Sequence, residues 1–279
     1  MKLLQQLPAE DINKHLQLNN NQTLKALGVS WNSQSDQISY SVKPIINSST
    51  VTKRTILSHV AALFDPLGLL GPMILLAKSL IQKLYAENLE SDESVPTIIH
   101  TLWCNFCEEL PQMNTLQFSR NVLVPDATSI QLHGFCDARE RGYGACIYVR
   151  CSNNNGDIQS ALLCSRSRVS PLKTVSIPRL ELCGAHTLVQ LLRATQEAIK
   201  ISIDRVILWT DSMVALHWIT TSPHQLKTFV VNRVSAIKEG SPGIAWRHVK
   251  SEDNPADALS QGLMPSEFIN NNLWRQGPA

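Results

Sequence analysis

Three rhythms of apolar positions run along the chain. Leu3, Leu4 and Leu7, ahead of Pro8, start a short helix. Residues 24–31 and 37–42 then read as strands, separated by the turn-rich Asn32-Ser33-Gln34-Ser35-Asp36. Residues 44–49 read as a connector. The second rhythm is helical, over 52–64, 73–89 and 97–110. It breaks at Asp65-Pro66-Leu67-Gly68, at Gly71-Pro72 and at the acidic link 90–95. Residues 111–126 read as irregular or partly extended.

The third rhythm begins near Ser129. Strands are expected at 130–136, ending in Asp137, at 142–150 and at 158–165, with Asn153-Asn154-Asn155-Gly156 as a hairpin turn. A long helix over 178–198 follows, then a strand at 206–210 and helices at 212–220 and 226–238. A strand at 245–249 and a last helix starting at 255–259 complete the pattern. The order βββαβαβα predicts an α/β fold: a mixed five-stranded sheet with flanking helices, preceded by a mainly helical segment. The chain divides accordingly into 1–50, 51–128, 129–262 and 263–279, the last read as a linker. The first piece is too short for a core of its own and reads as the tail of a domain lying upstream.

Composition changes this picture little. At 43% hydrophobic and 17% charged residues, the chain has an ordinary globular composition. Charge is unevenly shared: residues 1–128 carry 9 Lys/Arg against 11 Asp/Glu, and residues 129–279 carry 16 against 12. The second half therefore suits a polyanionic partner. Seven cysteines show no framework spacing, and Cys104-x-x-Cys107 lies in a helical pattern without a second pair, which points to a reducing, cytoplasmic setting. The most apolar region, 56–84, is free of charge only over 66–77, too short to span a bilayer, so no membrane partner is expected.

Four acids stand at element ends. Asp137 closes the first strand of the third region, Glu181 lies in the first turn of the long helix, Asp211 closes the strand 206–210, and Asp257 lies near the start of the last helix. In an α/β fold, the carboxyl ends of strands face the crevice where ligands bind. Four carboxylates in one cleft repel strongly unless cations neutralise them. Oxygen-only ligands favour Mg²⁺ or Mn²⁺, and two such ions can activate water against a phosphodiester. Asp211 and Ser212 also suit a helix cap.

The motifs Phe135-Cys136-Asp137-Ala138, Pro178-Arg179-Leu180-Glu181-Leu182, Trp209-Thr210-Asp211-Ser212 and Asn254-Pro255-Ala256-Asp257 resemble a ribonuclease H domain. More narrowly, they resemble the polyproteins of BEL/Pao LTR retrotransposons, in the region catalogued as the Pao retrotransposon peptidase family. The resemblance runs through Leu27-Gly28-Val29-Ser30-Trp31, similar to the end of a reverse-transcriptase palm. Thr52-Lys53-Arg54-Thr55-Ile56-Leu57-Ser58 and Phe64-Asp65-Pro66-Leu67-Gly68-Leu69 are similar to the thumb and its link, and Ser165-Arg166-Ser167-Arg168 and Pro171-Leu172-Lys173-Thr174 are also typical of the group.

The resemblance implies hydrolysis of the RNA strand of an RNA–DNA hybrid, with Asp137, Glu181, Asp211 and Asp257 as ligands of two Mg²⁺ (or Mn²⁺) ions. It also implies an upstream palm and fingers in the full polyprotein, a setting compatible with a virus-like particle. No Tyr-x-Asp-Asp occurs, so polymerase activity does not carry over. The group's expected Pro near 250 and Asp-Leu-Ala-Ser-Arg-Gly ending are replaced by Lys250 and Asp257-Ala258-Leu259-Ser260-Gln261-Gly262. His248 stands near the place of a product-release histidine, although on a strand pattern. An aspartic peptidase needs Asp-Ser/Thr-Gly, and Asp211-Ser212-Met213 lacks the glycine.

Arg166, Arg168, Lys173 and Arg179 are uninterrupted by any acid and lead into Glu181, so they suit phosphate contacts; Thr174 and Ser212 add sugar or phosphate contacts. The alternative to a nuclease is an inactive relic or docking module that binds nucleic acid.

Overall fold

The computed structural model describes residues 23–26, 29–42 and 50–278. The helix expected near the N-terminus and the connector 44–49 lie outside the described residues. Residues 24–31, expected as one strand, form two: β1 (Thr23–Ala26) and β2 (Val29–Asn32) pair antiparallel, with Leu24 opposite Trp31. The apolar positions change parity between Ala26 and Val29, the mark of a reversal that a single-strand reading passes over. β3 (Gln37–Tyr40) pairs with β2 on one side and with β4 (Gln117–Ser119) on the other. The stretch 111–126 is thus more regular than expected: a 3₁₀ turn over Leu110–Thr115 feeds β4 into the first sheet.

The helical segment follows its local signals. Thr52 caps α1 (Lys53–Ala62) reciprocally with Thr55, whose hydroxyl accepts the Thr52 N–H at 2.9 Å. α2 (Gly71–Ala86) starts on Pro72, which suits a first turn because its missing N–H would have no partner there. α3 (Thr97–Glu109) brings Trp103 and Phe106 into a core shared with Ile56, Met73 and Leu80. Asp65 ties this segment to the first sheet. It accepts the Tyr40 hydroxyl at 2.7 Å and the backbone N–H groups of Leu69 and Leu70 at 3.0 and 2.7 Å.

The second sheet has the expected composition and runs β7-β6-β5-β8-β9. β5 (Ala127–Ala138), β6 (Gly142–Asn153) and β7 (Ile158–Val169) are antiparallel neighbours. β8 (Arg205–Thr210) lies parallel to β5, and β9 (Ala245–His248) parallel to β8. Alternation sends Leu132, Ala145, Ile147, Val149 and Leu208 to one face. There α4 (Ile177–Ala198), α5 (Met213–Thr220) and α6 (Thr228–Gly240) cover them. Phe135, Cys146, Tyr148 and Leu162 face the other way, into the core built with α2 and α7 (Asp257–Gln261). That single core also contains Met73 of α2 and Trp103 of α3.

Two stretches differ from expectation. β7 runs four residues further than 165, because residues 166–169 continue the antiparallel pairing with 142–145 of β6; Leu67 and Gly68 dock on it at Ser165. The Ser165 N–H donates to the Leu67 carbonyl at 2.9 Å, and the Ser165 hydroxyl donates to that of Gly68. A Cβ at Gly68 would stand 2.1 Å from the Ser165 carbonyl oxygen, and its φ of +73° independently favours glycine. Residues 263–278, expected as a linker, are folded as α8 (Pro265–Ile269) and α9 (Asn272–Gln276), with Phe268 and Trp274 fully buried. Trp274 Nε1 donates to the Leu69 carbonyl at 2.9 Å, and the Tyr148 hydroxyl donates to the Trp274 carbonyl at 2.6 Å. Two aromatic residues in a short polar stretch gave the pattern too little period to declare a helix. Among the described residues, no helix is long and apolar enough to cross a membrane.

Candidate metal centre

Three of the four acids meet. Asp137 and Asp211 end the adjacent parallel strands β5 and β8, so their side chains leave the sheet at the same edge. Glu181 arrives from the first turns of α4, which lies against β5 and β6 because Gly184, one turn on, allows it. A Cβ there would sit 3.1 Å from the Asp137 carbonyl oxygen. One carboxylate oxygen from each of Asp137, Glu181 and Asp211 lies within 4.8 Å of the others.

The environment holds these groups tightly. Asp137 is 4% exposed and Glu181 7%. The Ser260 hydroxyl donates to Asp137 Oδ2, and the Ser251 hydroxyl donates to Asp211 Oδ2 at 2.7 Å. Glu181 Oε2 and Asp211 Oδ1 are buried with no hydrogen-bond donor among the described residues. Burial pushes the Glu181 carboxyl up to about 9, and the negative charges of Asp137 and Asp211 add to it; a backbone hydrogen bond from Ala138 and the charge of Arg139 pull the other way. Burial likewise pushes Asp137 up to about 7, against the hydrogen bond from Ser260 and with the charges of Asp211 and Asp257 adding. Crowded carboxylates with orphaned oxygens are what an oxygen-ligated divalent cation would relieve. The residues fit such an ion.

Asp257 stands apart from this trio. Its Oδ1 accepts from Arg139 Nε at 3.0 Å and Nη2 at 2.5 Å, although its charge still reaches Asp137. The loop before it is nevertheless fixed to the site. Asn254 is fully buried, donates through Nδ2 to the Cys136 carbonyl at 3.1 Å and accepts the Ala256 N–H at 3.2 Å. Asn254, Ser251, Ser260 and Arg139 are site residues that sequence reasoning missed. Asn254 and Ser260 carried a signal, as members of the Asn-Pro-Ala-Asp motif and of the ending Asp257-Ala258-Leu259-Ser260-Gln261-Gly262; Ser251 and Arg139 carried none.

The remaining expected positions scatter. His248 is exposed on β9 opposite Thr210, one residue before Asp211. Ser212 caps α5, its hydroxyl accepting the Ala215 N–H at 3.2 Å. Arg166 and Arg168 are exposed on β7, and Lys173 and Thr174 are exposed in the loop before α4. Arg179 turns to the far side of α4, its guanidinium 5.1 Å from the centre of the Phe229 ring, which Arg233 also faces at 3.6 Å. All seven cysteines are free thiols, and the acid trio is the one metal-competent cluster of acids, histidines or cysteines among the described residues.

Comparison with known proteins gives a consistent setting. The model of the family described as Pao retrotransposon-like RNaseH-like domain matches residues 52–212. The search of curated proteins found no match. Solved structures similar to this chain include RNase H1 from the archaeon Halobacterium salinarum, at 14% identity and a TM-score of 0.28, covering 51% of this chain and 98% of that one. LC11-RNase H1 in complex with RNA/DNA hybrid is similar at 17% identity and a TM-score of 0.28, covering 50% and 99%. The foamy viral protease-reverse transcriptase in complex with dsDNA is similar at 17% identity and a TM-score of 0.27, covering 82% of this chain and 45% of that one.

Proposed function

The chain belongs to the Pao retrotransposon-like RNaseH-like domain family, and from that premise we propose that it hydrolyses the RNA strand of RNA–DNA hybrids within a reverse-transcriptase polyprotein. The observation that carries the reading is the trio Asp137, Glu181 and Asp211, the first two buried, with Glu181 Oε2 and Asp211 Oδ1 left without donors among the described residues. These three would hold divalent cation, Mg²⁺ or Mn²⁺. Asp257 would complete a two-ion site once its carboxylate is released from Arg139. Cations held there would supply positive charge toward a water and the phosphodiester, chemistry that would yield a 5′-phosphate and a 3′-hydroxyl.

The chain's own residues do the rest. Ser260 and Ser251 orient the Asp137 and Asp211 carboxylates by donating to one oxygen of each, which leaves the other oxygens for the ion. Asn254 holds the Asp257 loop on the end of β5. Arg166, Arg168, Lys173 and Thr174, all exposed on the approach to α4, would contact the hybrid backbone, and exposed His248 would help product leave. Arg179, turned toward Phe229, is the weakest of these assignments, and Ser212 offers the hybrid only what its cap leaves free.

One observation favours a second reading, a binding module without turnover: the Arg139–Asp257 pair occupies the fourth acid. The test is incubation of the chain with labelled RNA–DNA hybrid and Mg²⁺ beside Asp211→Asn. Cleavage by the parent alone supports the nuclease. Equal cleavage by both would refute the site, and hybrid binding without cleavage by folded parent would select the module.

A further inference from the structure

Upstream on the same two strands that carry Asp137 and Asp211, the sheet face opens into a cavity of about 470 Å³, lined by His133, Phe135, Tyr148, Arg150 and Trp209 among others. None of the clustered acids lines it. The volume is that of a small-molecule site.

Its floor is aromatic and rigid. The Trp209 indole is nearly parallel to both β5 rings, 10° from His133 at 6.1 Å and 9° from Phe135 at 6.0 Å. Trp209 Nε1–H donates to His133 Nδ1 at 3.3 Å, and His133 Nε2 lies 3.2 Å from Gln131 Oε1. A neutral imidazole with its proton on Nε2 satisfies both contacts. The surroundings are basic. Strand register puts Arg150 and Arg205 on either side of Gln131, and Arg247 beside Trp209, with its guanidinium 5.9 Å from the ring centre. Among the described residues none of these three arginines forms an ion pair. Asp253 is the one acid in the lining, and it is exposed. Burial pushes His133 down to about 4, and the charges of Arg150, Arg205 and Arg247 add to the shift, so the pocket sits in their positive potential.

We propose that this pocket is a nucleotide-binding subsite, with a base against the Trp209 indole and its phosphate against Arg150, in the positive field that Arg247 adds beside Trp209. Stacking on aromatic rings and guanidinium–phosphate contacts are the two interactions that nucleotides offer together. A purely apolar ligand would leave the arginines unanswered, and a bare anion would leave the rings uncovered. The subsite does not depend on the acid cluster being a nuclease.

The test is NMR titration of the full chain with AMP, adenosine and inorganic phosphate, reading the His133 ring and Trp209 indole resonances. AMP is expected to move both, with adenosine and phosphate each binding at least about tenfold more weakly. The double substitution Arg150→Glu with Arg247→Glu is expected to weaken AMP at least about tenfold while the chain stays folded by circular dichroism, and Asp211→Asn to leave AMP binding unchanged. Unchanged affinity in the folded double variant, or AMP signals confined to the neighbourhood of Asp211, would overturn the proposal. Binding of AMP by a chain that does not cleave hybrid keeps the subsite and removes the nuclease; cleavage without AMP binding does the reverse. A pentanucleotide arm separates the sources: tighter binding than AMP assigns a strand, equal binding a free nucleotide, and either upholds the subsite.

Discussion

β5 and β8 carry opposite chemistry along one face. At their carboxyl ends, Asp137 and Asp211 are crowded against Glu181, and among the described residues Glu181 Oε2 and Asp211 Oδ1 have no donor. A few residues back, Trp209, Phe135 and His133 form an aromatic floor, with arginines around it that form no ion pair among the described residues. Asp137 and Glu181 are buried, and desolvation holds their carboxyls well above the usual range, whereas the arginines are partly or fully exposed. The acid end is therefore unfinished without a cation, whereas the aromatic end is complete in geometry and merely unbalanced in charge. A polyanion crossing the face would meet attraction first and the reaction centre second.

The largest effect that can break this contrast is at Asp211. Asp211→Asn is expected to lower hybrid cleavage in Mg²⁺ by at least about a hundredfold, because it removes a cation ligand; a gel assay with labelled hybrid reads it. Next comes pH. Because the folded-state pKa values of Glu181 and Asp137 lie above their ordinary ones, the unfolded chain loses these protons first. Stability without divalent cation is then highest near pH 4 and falls as pH rises, toward about 7 for Asp137 and about 9 for Glu181. Mg²⁺ binds the deprotonated trio, so it should raise the melting temperature more at pH 8.5 than at pH 5.5, by several degrees, roughly. Calorimetry with and without Mg²⁺ checks both signs, and a Mg²⁺ effect independent of pH would count against the cation site.

Smaller effects sharpen the contrast. Ser251→Ala removes the donor on Asp211 Oδ2 and is expected to raise the Mg²⁺ concentration for half-maximal cleavage about tenfold, with little change in melting. His248→Ala, one strand over and exposed, should slow steady-state turnover by only a few fold, roughly, while leaving a single-turnover rate unchanged if it acts in product release.

Much of this was legible in the chain. Strands ending in acids declared Asp137 and Asp211, because a β-branched run stopping at a carboxylate marks a strand end. Glu181 followed from its place just inside a helix that starts on Pro178. What was not legible involves partners far apart in sequence. Nothing near Asp257 announces that Arg139, 118 residues away, takes its carboxylate, and nothing near Asp211 announces Ser251. Arg179 was misleading for a related reason. Its neighbours in sequence are basic, but its guanidinium lies over the ring of Phe229, 50 residues on, 5.1 Å from the centre. The aromatic floor was invisible because only strand register sets Trp209 beside Phe135, with His133 two residues back on the same face of β5.

The bond from Trp274 to the Leu69 carbonyl spans 205 residues, and it bears on how the chain is made. As synthesis proceeds, α1, α2 and α3 emerge before α9, with one side of their core missing. The indole that closes over them comes 205 residues after Leu69. Long-range closure of this kind slows folding and leaves apolar surface open in the interval. A fragment cut after Gly262 would never close it: such a piece would keep all four acids and is expected to aggregate, whereas one running through Gln276 should stay in solution.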